Sequence, residues 1–203
     1  SLGRLGQDKI RAARRLGDAA PADIHAAFKD AQNILAQGFV REIETLDSTR
    51  FFIKADAGLG SLLQSQKKAI EACRLPFSRE IDEIYRARCL KEGLKPQPVG
   101  LTADEIRLGK MIPLRTEKMT GPLDLMEYYT KIQDAEARPV VSKVGETEGE
   151  IRNFIDGRRS ILQVRNAVAA EAAFMNVRVP ALQDVENFIK LLEKYGYVKY
   201  AGK

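Results

Sequence analysis

The sequence predicts a mostly α-helical protein, an N-terminal helical bundle followed by a small winged-helix-like domain with a short β element. Three observations predict this fold class. Apolar residues recur every three or four positions along most of the chain, which is the period of an amphipathic helix. Helix-capping and helix-breaking residues separate those stretches. Near the C-terminus, three closely spaced helical segments precede "YVKY", whose β-branched and aromatic residues are typical of a strand.

Residues 1–93 are predicted to form the helical bundle. "DKIRAARRLGDAA" predicts a basic first helix, whose apolar side consists of Ile10, Ala13 and Leu16. A second helix follows Pro21, which suits a first helical turn. The apolar stripe of this second helix consists of Ile24, Phe28, Ile34, Leu35, Phe39 and Ile43. "RFFIKA", residues 50–55, is either a short strand or an extension of the second helix.

Two further helices are predicted before residue 93. "SLLQSQKKAIEACR" predicts a helix whose inward positions are Leu62, Leu63, Ala69 and Ile70. Pro76 is expected to end this helix, because proline lacks a backbone N–H and clashes with the preceding turn. Ser78 then suits the N-cap of a further helix that stops at Gly93. The apolar face of that helix consists of Ile81, Ile84, Tyr85 and Leu90.

Residues 94–145 are predicted to be a linker and an irregular or helical connector. The two prolines and the glycine of "LKPQPVG" interrupt regular structure. Thr102 and Glu105 have the spacing of a capping box, which predicts a short helix through Leu108. Further along, "LDLMEYYTKI" is compatible with a helix whose recurring apolar positions are Leu123, Met126 and Tyr129.

Residues 146–203 are predicted to form the winged-helix-like domain. "EGEIRNFIDG" predicts a short helix with Ile151, Phe154 and Ile155 facing inward and Gly157 at its end. Ser160 suits the cap of the next helix, whose core positions are Ile161, Val164, Val168 and Ala172. The third helix is expected from Pro180 to Gly196, and its core positions are Leu182, Val185, Phe188, Ile189 and Leu192.

Residues with the chemistry of a catalytic or metal site are few. His25 is the sole histidine, and Cys73 and Cys89 are the only cysteines, whereas zinc sites draw on several such ligands. "DAGLGSLL" lacks the third glycine of a dinucleotide-binding turn, and the chain contains neither a P-loop nor a G-x-S-x-G motif. We therefore predict no catalytic, metal-binding or cofactor-binding residue and no enzyme activity. We expect His25 to be a partly exposed helical residue and the cysteines to be unpaired, with a disulfide as the alternative in an oxidising compartment.

Arg158, Arg159 and Arg165 are the candidate contacts to a phosphate or to a partner. The formal net charge of +5 agrees with an acidic partner. In a winged helix the third helix usually enters the DNA major groove. The outward positions predicted for that helix are Gln183, Asp184, Glu186, Asn187, Lys190, Glu193 and Lys194. Three acidic residues among them oppose a phosphate backbone, so a protein partner is favoured over nucleic acid, and a DNA-binding transcriptional regulator is the alternative.

Two stretches near the C-terminus, "IRNFIDGRRSILQVRNAVAAEA" and "VPALQDVENFIKLLEKYGYV", carry a resemblance to a known family. They are similar to the winged-helix tail appended to bacterial zinc aminopeptidase-like proteins of the leucyl aminopeptidase-related kind. A weaker similarity, through the "DGRRS" turn, is to PqqD-type winged helices. The similarity covers residues 146–198. It implies a secreted or periplasmic parent protein whose metal ligands lie upstream, and it assigns no catalytic residue to this chain.

Together these observations predict a non-catalytic docking region, as the C-terminal part of a larger bacterial peptidase-like protein. The expected partner is a catalytic domain, a subunit or a peptide, and a homodimer is also open. No apolar run of about 18 residues occurs, so we expect no membrane partner. Because "SLGRLGQDKI" lacks an initiator Met and an apolar signal core, we expect a processed fragment, and the compartment stays unassigned apart from what the resemblance implies.

Overall fold

A computed structural model describes residues 2–49, 57–120, 125–175 and 177–200. The chain divides into two compact units, Ser1–Val99 (unit 1) and Gly100–Lys203 (unit 2). Over the described ranges the protein is mostly helical with one small two-stranded antiparallel sheet, which confirms the helical part of the predicted fold class. The predicted strand or helix extension at residues 50–55 lies outside the described residues. None of the described helices is long and apolar enough to cross a membrane.

Over residues 2–49 and 57–99, unit 1 consists of three helices, α1 (Leu2–Gly17), α2 (Ile24–Thr49) and α3 (Ala57–Lys91), with a 3₁₀ turn at Pro21–Asp23 before α2. Each helix buries residues that recur at three- and four-residue steps, as an amphipathic helix does when it packs on its neighbours. The largest apolar side chains of this core are Leu5, Leu16, Ile24, Phe28, Leu35, Phe39, Ile81 and Tyr85.

The face that α1 buries differs from the predicted one. Leu16 is buried as expected, but Ile10 is 41% exposed. The helix packs instead through Leu5, Asp8, Ala12 and Leu16. The periodicity of apolar residues could not predict this face, because one of its four buried residues is an aspartate. Asp8 is buried because it pairs with Arg11 and Arg41.

Helix α3 continues through Pro76, so the predictions that the helix ends there and that Ser78 caps a new one are wrong. Proline at this position removes the hydrogen bond to the carbonyl of Ala72. Because Ala72 is exposed, water can satisfy that carbonyl and the helix persists. The predicted stop is confirmed, since Gly93 follows the end of α3 with a positive φ of 67°.

The inward face of α3 also differs from the prediction. Ile70, Ile81 and Tyr85 are buried, but Leu62 is 54% exposed and Ala69 is exposed. Leu90 is exposed as well, and Cys89 takes the buried position one residue earlier. Because the two predicted helices form one continuous helix, a single buried face runs through both halves. That face differs from the one that the apolar pattern of each half predicted.

A buried carboxylate joins α1 to α2. Asp8 Oδ1 accepts a hydrogen bond from Arg11 Nη1 at 2.9 Å, and Asp8 Oδ2 accepts one from Arg41 Nη2 at 2.5 Å. The carboxylate lies against Gly38, where an added Cβ would be 2.6 Å from Asp8 Oδ2. Gly38 therefore gives the room in which this ion pair is buried between the helices.

Unit 2 contains seven helices and two strands among its described residues. In chain order these are α4 (Ala103–Leu108), β1 (Pro113–Arg115), α5 (Glu117–Thr120), α6 (Leu125–Ile132), α7 (Arg138–Val144), a 3₁₀ turn (Gly145–Thr147), α8 (Glu148–Phe154), α9 (Ile161–Met175), α10 (Leu182–Lys194) and β2 (Val198–Tyr200). Strand β1 pairs antiparallel with β2, with Leu114 opposite Lys199. The three helices and the final strand predicted for residues 146–203 are thus α8, α9, α10 and β2.

The core of unit 2 follows the predicted pattern closely in α9 and α10. Their buried residues include Ile161, Val164, Val168, Ala172, Val185, Phe188, Ile189 and Leu192. Ser160 and Gln163 cap α9 reciprocally, with Ser160 Oγ accepting from Gln163 N at 3.3 Å and Gln163 Oε1 accepting from Ser160 N at 2.8 Å. Thr102 and Glu105 likewise form the predicted capping box of α4.

Of the linker and connector predicted for residues 94–145, residues 94–99 belong to unit 1, and the part from residue 100 onward lies in the same compact unit as residues 146–203. The buried side chains of that part join the core of α8, α9 and α10, and they include Leu108, Met119, Tyr128, Ile132, Ala137 and Val144. In α6 the helix is confirmed but its face is not, because Met126 and Tyr129 are exposed whereas Tyr128 and Ile132 are buried.

Substituting Gly38 with alanine should lower the free energy of unfolding of unit 1. The new Cβ overlaps a carboxylate that two arginines hold in place, and overpacking of this kind costs about 1–3 kcal/mol. That cost outweighs the gain of up to about 1 kcal/mol that alanine brings to a helix interior. Urea unfolding followed by circular dichroism measures the change.

Gly6→Ala is the matched control, because nothing lies within 4 Å of a Cβ at this position in α1. We expect Gly6→Ala to raise the stability slightly while Gly38→Ala lowers it. Equal stabilisation by both substitutions would show that Asp8 moves aside without cost.

Candidate interaction site

Two of the three predicted arginines lie in the turn between α8 and α9. Asp156 organises this turn, since its Oδ1 accepts hydrogen bonds from the backbone N–H groups of Arg158 and Arg159, both at 2.9 Å. Partial burial works to raise the pKa of Asp156, but these two hydrogen bonds together hold it below its ordinary value. The Arg159 guanidinium binds Asp156 Oδ2 at 2.5 Å and lies 5.5 Å from the ring centre of Phe154. The Arg159 side chain therefore contacts residues of the turn itself, whereas the Arg158 side chain is exposed.

The third predicted arginine lies on α9 and is half-buried. Arg165 Nη1 approaches Asn166 Oδ1 at 3.5 Å, and its Nε is buried without a hydrogen-bond partner. The structure therefore gives the three arginines different surroundings. Only Arg158 presents an exposed guanidinium that no described residue engages.

Glu186 on α10 is buried, and its predicted outward position is wrong. The Arg107 guanidinium of α4 holds it with two parallel hydrogen bonds, Nη1 to Oε1 at 2.8 Å and Nη2 to Oε2 at 2.9 Å. Lys190 adds an ion pair at 2.7 Å. The bond from Arg107, with help from Lys190, lowers the pKa of Glu186 to about 2. Glu186 faces inward because Arg107 of α4 binds it. The sequence of α10 alone could not predict this contact.

Carboxylates nevertheless surround the solvent-facing side of α10. Asp104 Oδ1 of α4 lies 3.2 Å from Arg107 Nη2, and the Glu136 carboxylate pairs with the Lys194 ammonium group. Asp184 and Glu193 are half-exposed on α10 itself. The cations of this face are therefore engaged by carboxylates, which disfavours a contact with phosphates.

The most exposed apolar side chains of unit 1 lie in a row on α3. This row, the outer stripe of α3, is spaced by three or four residues and therefore occupies one side of the helix. It consists of Lys68, Ala72, Leu75, Arg79, Glu83, Arg86 and Leu90. Leu75 is 58% exposed and Leu90 is 82% exposed, so two leucines face solvent on the side of the helix away from its buried residues.

The cations of the outer stripe differ from the cations that lie at the helix contacts of unit 1. Lys9, Arg15 and Arg88 form ion pairs with Glu80, Asp30 and Glu92. Lys68, Arg79 and Arg86 make no hydrogen bond or ion pair with any described residue. Glu83 is the single acid within the stripe. The stripe therefore combines exposed leucines with an unneutralised positive charge.

The proline of α3 adds a hydrogen-bond acceptor to this surface. Pro76 cannot donate to the carbonyl of Ala72, which belongs to the outer stripe. A backbone carbonyl without a helical partner needs a donor from water or from a bound molecule. The stripe thus offers apolar, cationic and acceptor groups along about 33 Å of helix, at 1.5 Å per residue.

The outer stripe is absent from the sequence prediction, because a helix break is expected at Pro76 and Leu90 fits a core position of the predicted helix. A signal was present in the spacing, since Lys68, Leu75, Arg79, Arg86 and Leu90 share one face only if a single helix runs through the proline. With Pro76 placed inside the helix, the spacing of these residues predicts one shared face.

The residues considered for catalysis lie apart from this surface. His25 is half-buried, and its Nδ1 lies 2.6 Å from the hydroxyl of Tyr85, which also accepts a hydrogen bond from Gln97 N at 2.9 Å. Cys73 and Cys89 are unpaired, as predicted. Among the described residues no group of three or more His, Cys, Asp or Glu side chains is arranged to hold a metal ion.

Comparison of the chain with family models, with curated proteins and with solved structures finds no significant match. The resemblance of the two C-terminal stretches to aminopeptidase tails therefore rests on their motifs alone.

Substituting Glu186 with glutamine should change how the stability of unit 2 depends on pH. A carboxyl whose pKa falls from 4.5 to about 2 on folding stabilises the folded state above pH 4.5 and loses that contribution as the pH falls toward 2. The stability difference between wild type and Glu186→Gln should therefore be greatest above pH 4.5 and shrink below it. Urea unfolding monitored by tyrosine fluorescence reports mainly on unit 2, which holds five of the six tyrosines.

Glu150→Gln is the control, because Glu150 lies in the same unit and makes no ion pair or hydrogen bond with a described residue. Its stability difference from wild type should show no comparable pH dependence between pH 2 and 4.5. A wild-type-minus-Glu186→Gln difference that stays constant with pH would contradict the stabilising role of the Arg107–Glu186 pair.

Proposed function

We propose that this protein is a non-catalytic docking protein that binds an acidic partner protein through the outer stripe of α3. The observation that carries the proposal is the 82% exposure of Leu90 and the 58% exposure of Leu75 in one row with two arginines that pair with no described residue. The two leucines stand about 22 Å apart along the helix, so they offer two separate apolar anchors on one face rather than one contiguous patch. Arginines beside them fit the composition of interface centres, where arginine is enriched and lysine depleted.

The energetics favour leucines as the anchors of such a contact. Each fully buried leucine contributes about 1.5–3 kcal/mol, which is within the range of interface hot spots. The arginines add charge-assisted hydrogen bonds where a carboxylate meets them. A helix face about 33 Å long and about 10 Å wide covers less than the roughly 800 Å² per partner of a standard interface. Neighbouring surface of unit 1 would then supply the polar rim.

The charge of the stripe selects the chemistry of the partner. Lys68, Arg79 and Arg86 face one acid, Glu83, so a partner helix or loop with leucine-accepting pockets and surplus carboxylates is complementary to it. A second copy of the same surface would place arginines against arginines. Charge complementarity therefore supports a different protein over a symmetric homodimer through this face.

The C-terminal motifs extend the proposal to the context of docking. The order α8, α9, α10 and β2 supports a winged-helix-like arrangement, as the resemblance to aminopeptidase tails implies. In that context the partner is a catalytic domain or subunit of a bacterial peptidase-like assembly that is secreted or periplasmic. The zinc of such enzymes would belong to the partner.

A DNA-binding regulator is the second candidate function, and one observation favours it. With Glu186 buried, the outward side chains Gln183, Asn187, Lys190 and Lys194 share one face of α10, as in a helix that reads the major groove. The carboxylates that engage both lysines weigh against it. Protein docking is therefore the better supported function.

The binding of designed helical peptides tests the docking proposal. One peptide carries leucines and glutamates on a single face, and the other carries lysines in place of the glutamates. We expect saturable binding of the glutamate peptide by fluorescence anisotropy and at least about tenfold weaker binding of the lysine peptide, a difference of about 1.4 kcal/mol. Arg79→Glu with Arg86→Glu, and separately Leu75→Ser with Leu90→Ser, should each weaken binding of the glutamate peptide.

Arg4→Glu with Arg14→Glu is the matched control, because these exposed arginines of α1 also lack a partner among the described residues. Circular dichroism verifies that every variant is folded. If neither peptide binds, or if the α1 and α3 variants weaken binding equally, the outer stripe is not a docking surface. Salt-sensitive binding of mixed duplex DNA that Lys190→Gln and Lys194→Gln abolish would favour the regulator instead.

A further inference from the structure

A second surface with unneutralised positive charge lies in unit 2, independent of the outer stripe of α3. It is a groove of about 370 Å³ beside the two-stranded sheet, named here the ribbon groove. Its lining includes Arg115, Thr116, Glu117, Lys118, Gly196 and Lys199. The volume lies near the lower end of the range of about 300–1,000 Å³ for small-molecule sites.

The walls of the ribbon groove are fixed by hydrogen bonds. Arg115 and Lys199 belong to the paired strands β1 and β2. Just beyond the strands, Thr116 N donates to Tyr197 O at 3.0 Å, and Thr116 Oγ1 donates to Gly196 O at 2.6 Å. These bonds tie the two sides of the groove together, so its shape is set before any ligand enters.

Arg115 places a cation in the groove without a carboxylate partner. Its Nη2 donates to the carbonyls of Arg152 and Asn153, at 2.7 and 2.8 Å, near the C-terminal end of α8. Its Nε is buried and has no hydrogen-bond partner. The two carbonyls orient the guanidinium and offset part of its charge, but they carry no formal charge of their own.

The two lysines of the groove differ, because Lys118 shares Glu127 with Lys131, whereas Lys199 has no carboxylate partner among the described residues. The nearest carboxylate to Lys118 is Glu127, with Oε1 at 3.6 Å, and Lys131 already binds that oxygen at 2.6 Å. Lys199 is exposed and makes no hydrogen bond or ion pair with a described residue. Three cations therefore face the groove, and Glu117 is the single acid in its lining.

We propose that the ribbon groove binds a small phosphorylated anion. A phosphate carries two negative charges and several acceptor oxygens, which match one oriented guanidinium and two ammonium groups. A carboxylate would leave two of the three cations unmatched. The polar character of the lining suits a ligand recognised through its phosphate rather than through an apolar body.

Arg115 positions the phosphate, and the lysines close on it from the two sides of the groove. Lys118 comes from α5 and Lys199 from β2, so the ligand bridges elements that the sheet brings together. Arg158 is not part of the lining, and it lies on the turn that contacts Leu114 through Gly157.

Isothermal titration calorimetry with inorganic pyrophosphate tests the proposal, using sodium chloride of equal ionic strength as the blank. We expect saturable binding, and we expect Lys118→Gln with Lys199→Gln to weaken it by about tenfold or more because two charge-assisted hydrogen bonds are lost. Lys110→Gln with Lys143→Gln is the matched control. Both of these lysines are exposed in unit 2 and lie outside the groove, so the control removes the same charge.

Backbone amide shifts provide a readout that does not depend on the variants. In the wild-type protein, pyrophosphate should shift the amide resonances of Thr116, Lys118 and Gly196 and leave those of α3 unchanged. The proposal is overturned if binding does not saturate at about 10 mM, if both double variants weaken it equally, or if the shifted amides lie elsewhere. These outcomes leave docking through α3 untouched, since that surface lies in unit 1.

Discussion

The pairing of β1 with β2 is the constraint on which unit 2 depends. Thr116 and Gly196, which meet at the end of this pairing, are 80 positions apart in the chain. Closing so long a loop costs conformational entropy that grows only slowly with its length, and burial of Tyr197, Val198 and Tyr200 offsets it. The same closure sets the positions of the turn after α8, whose Gly157 has a φ of 77° and packs on Leu114, and of the cations beside the sheet.

The two units use charge in contrasting ways. In unit 1 the cations near the helix contacts are paired with carboxylates, and the cations on the outer stripe of α3 are not. In unit 2 the face of α10 pairs its lysines with carboxylates, whereas in the ribbon groove Arg115 and Lys199 pair with no described carboxylate and Lys118 shares Glu127 with Lys131. Paired charges at helix contacts specify packing, and unpaired charges on an ordered surface keep their attraction for an outside ligand.

Local patterns predicted the parts of the fold that local interactions determine. The buried faces of α9 and α10 and the caps at Thr102 and Ser160 follow from residues within a few positions of one another. The partner of β2 could not be predicted, because three-residue β1 has no strand signal of its own. The burial of Glu186 could not either, since it requires Arg107 from a distant helix. The outer stripe of α3 was missed for a related reason, because tolerance of Pro76 depends on which side of the helix faces solvent.

The buried carboxylate of unit 1 has a consequence for how this chain can vary. Asp8, Gly38 and Arg41 form one mutually dependent set, since the glycine makes space for the carboxylate and the arginine neutralises it. Loss of Arg41 alone leaves Asp8 Oδ2 without that partner while Arg11 still binds Oδ1, and loss of the aspartate alone leaves a void beside the glycine and both arginines without this carboxylate. The three positions are therefore expected to change together in related chains, as an epistatic unit within an otherwise tolerant bundle.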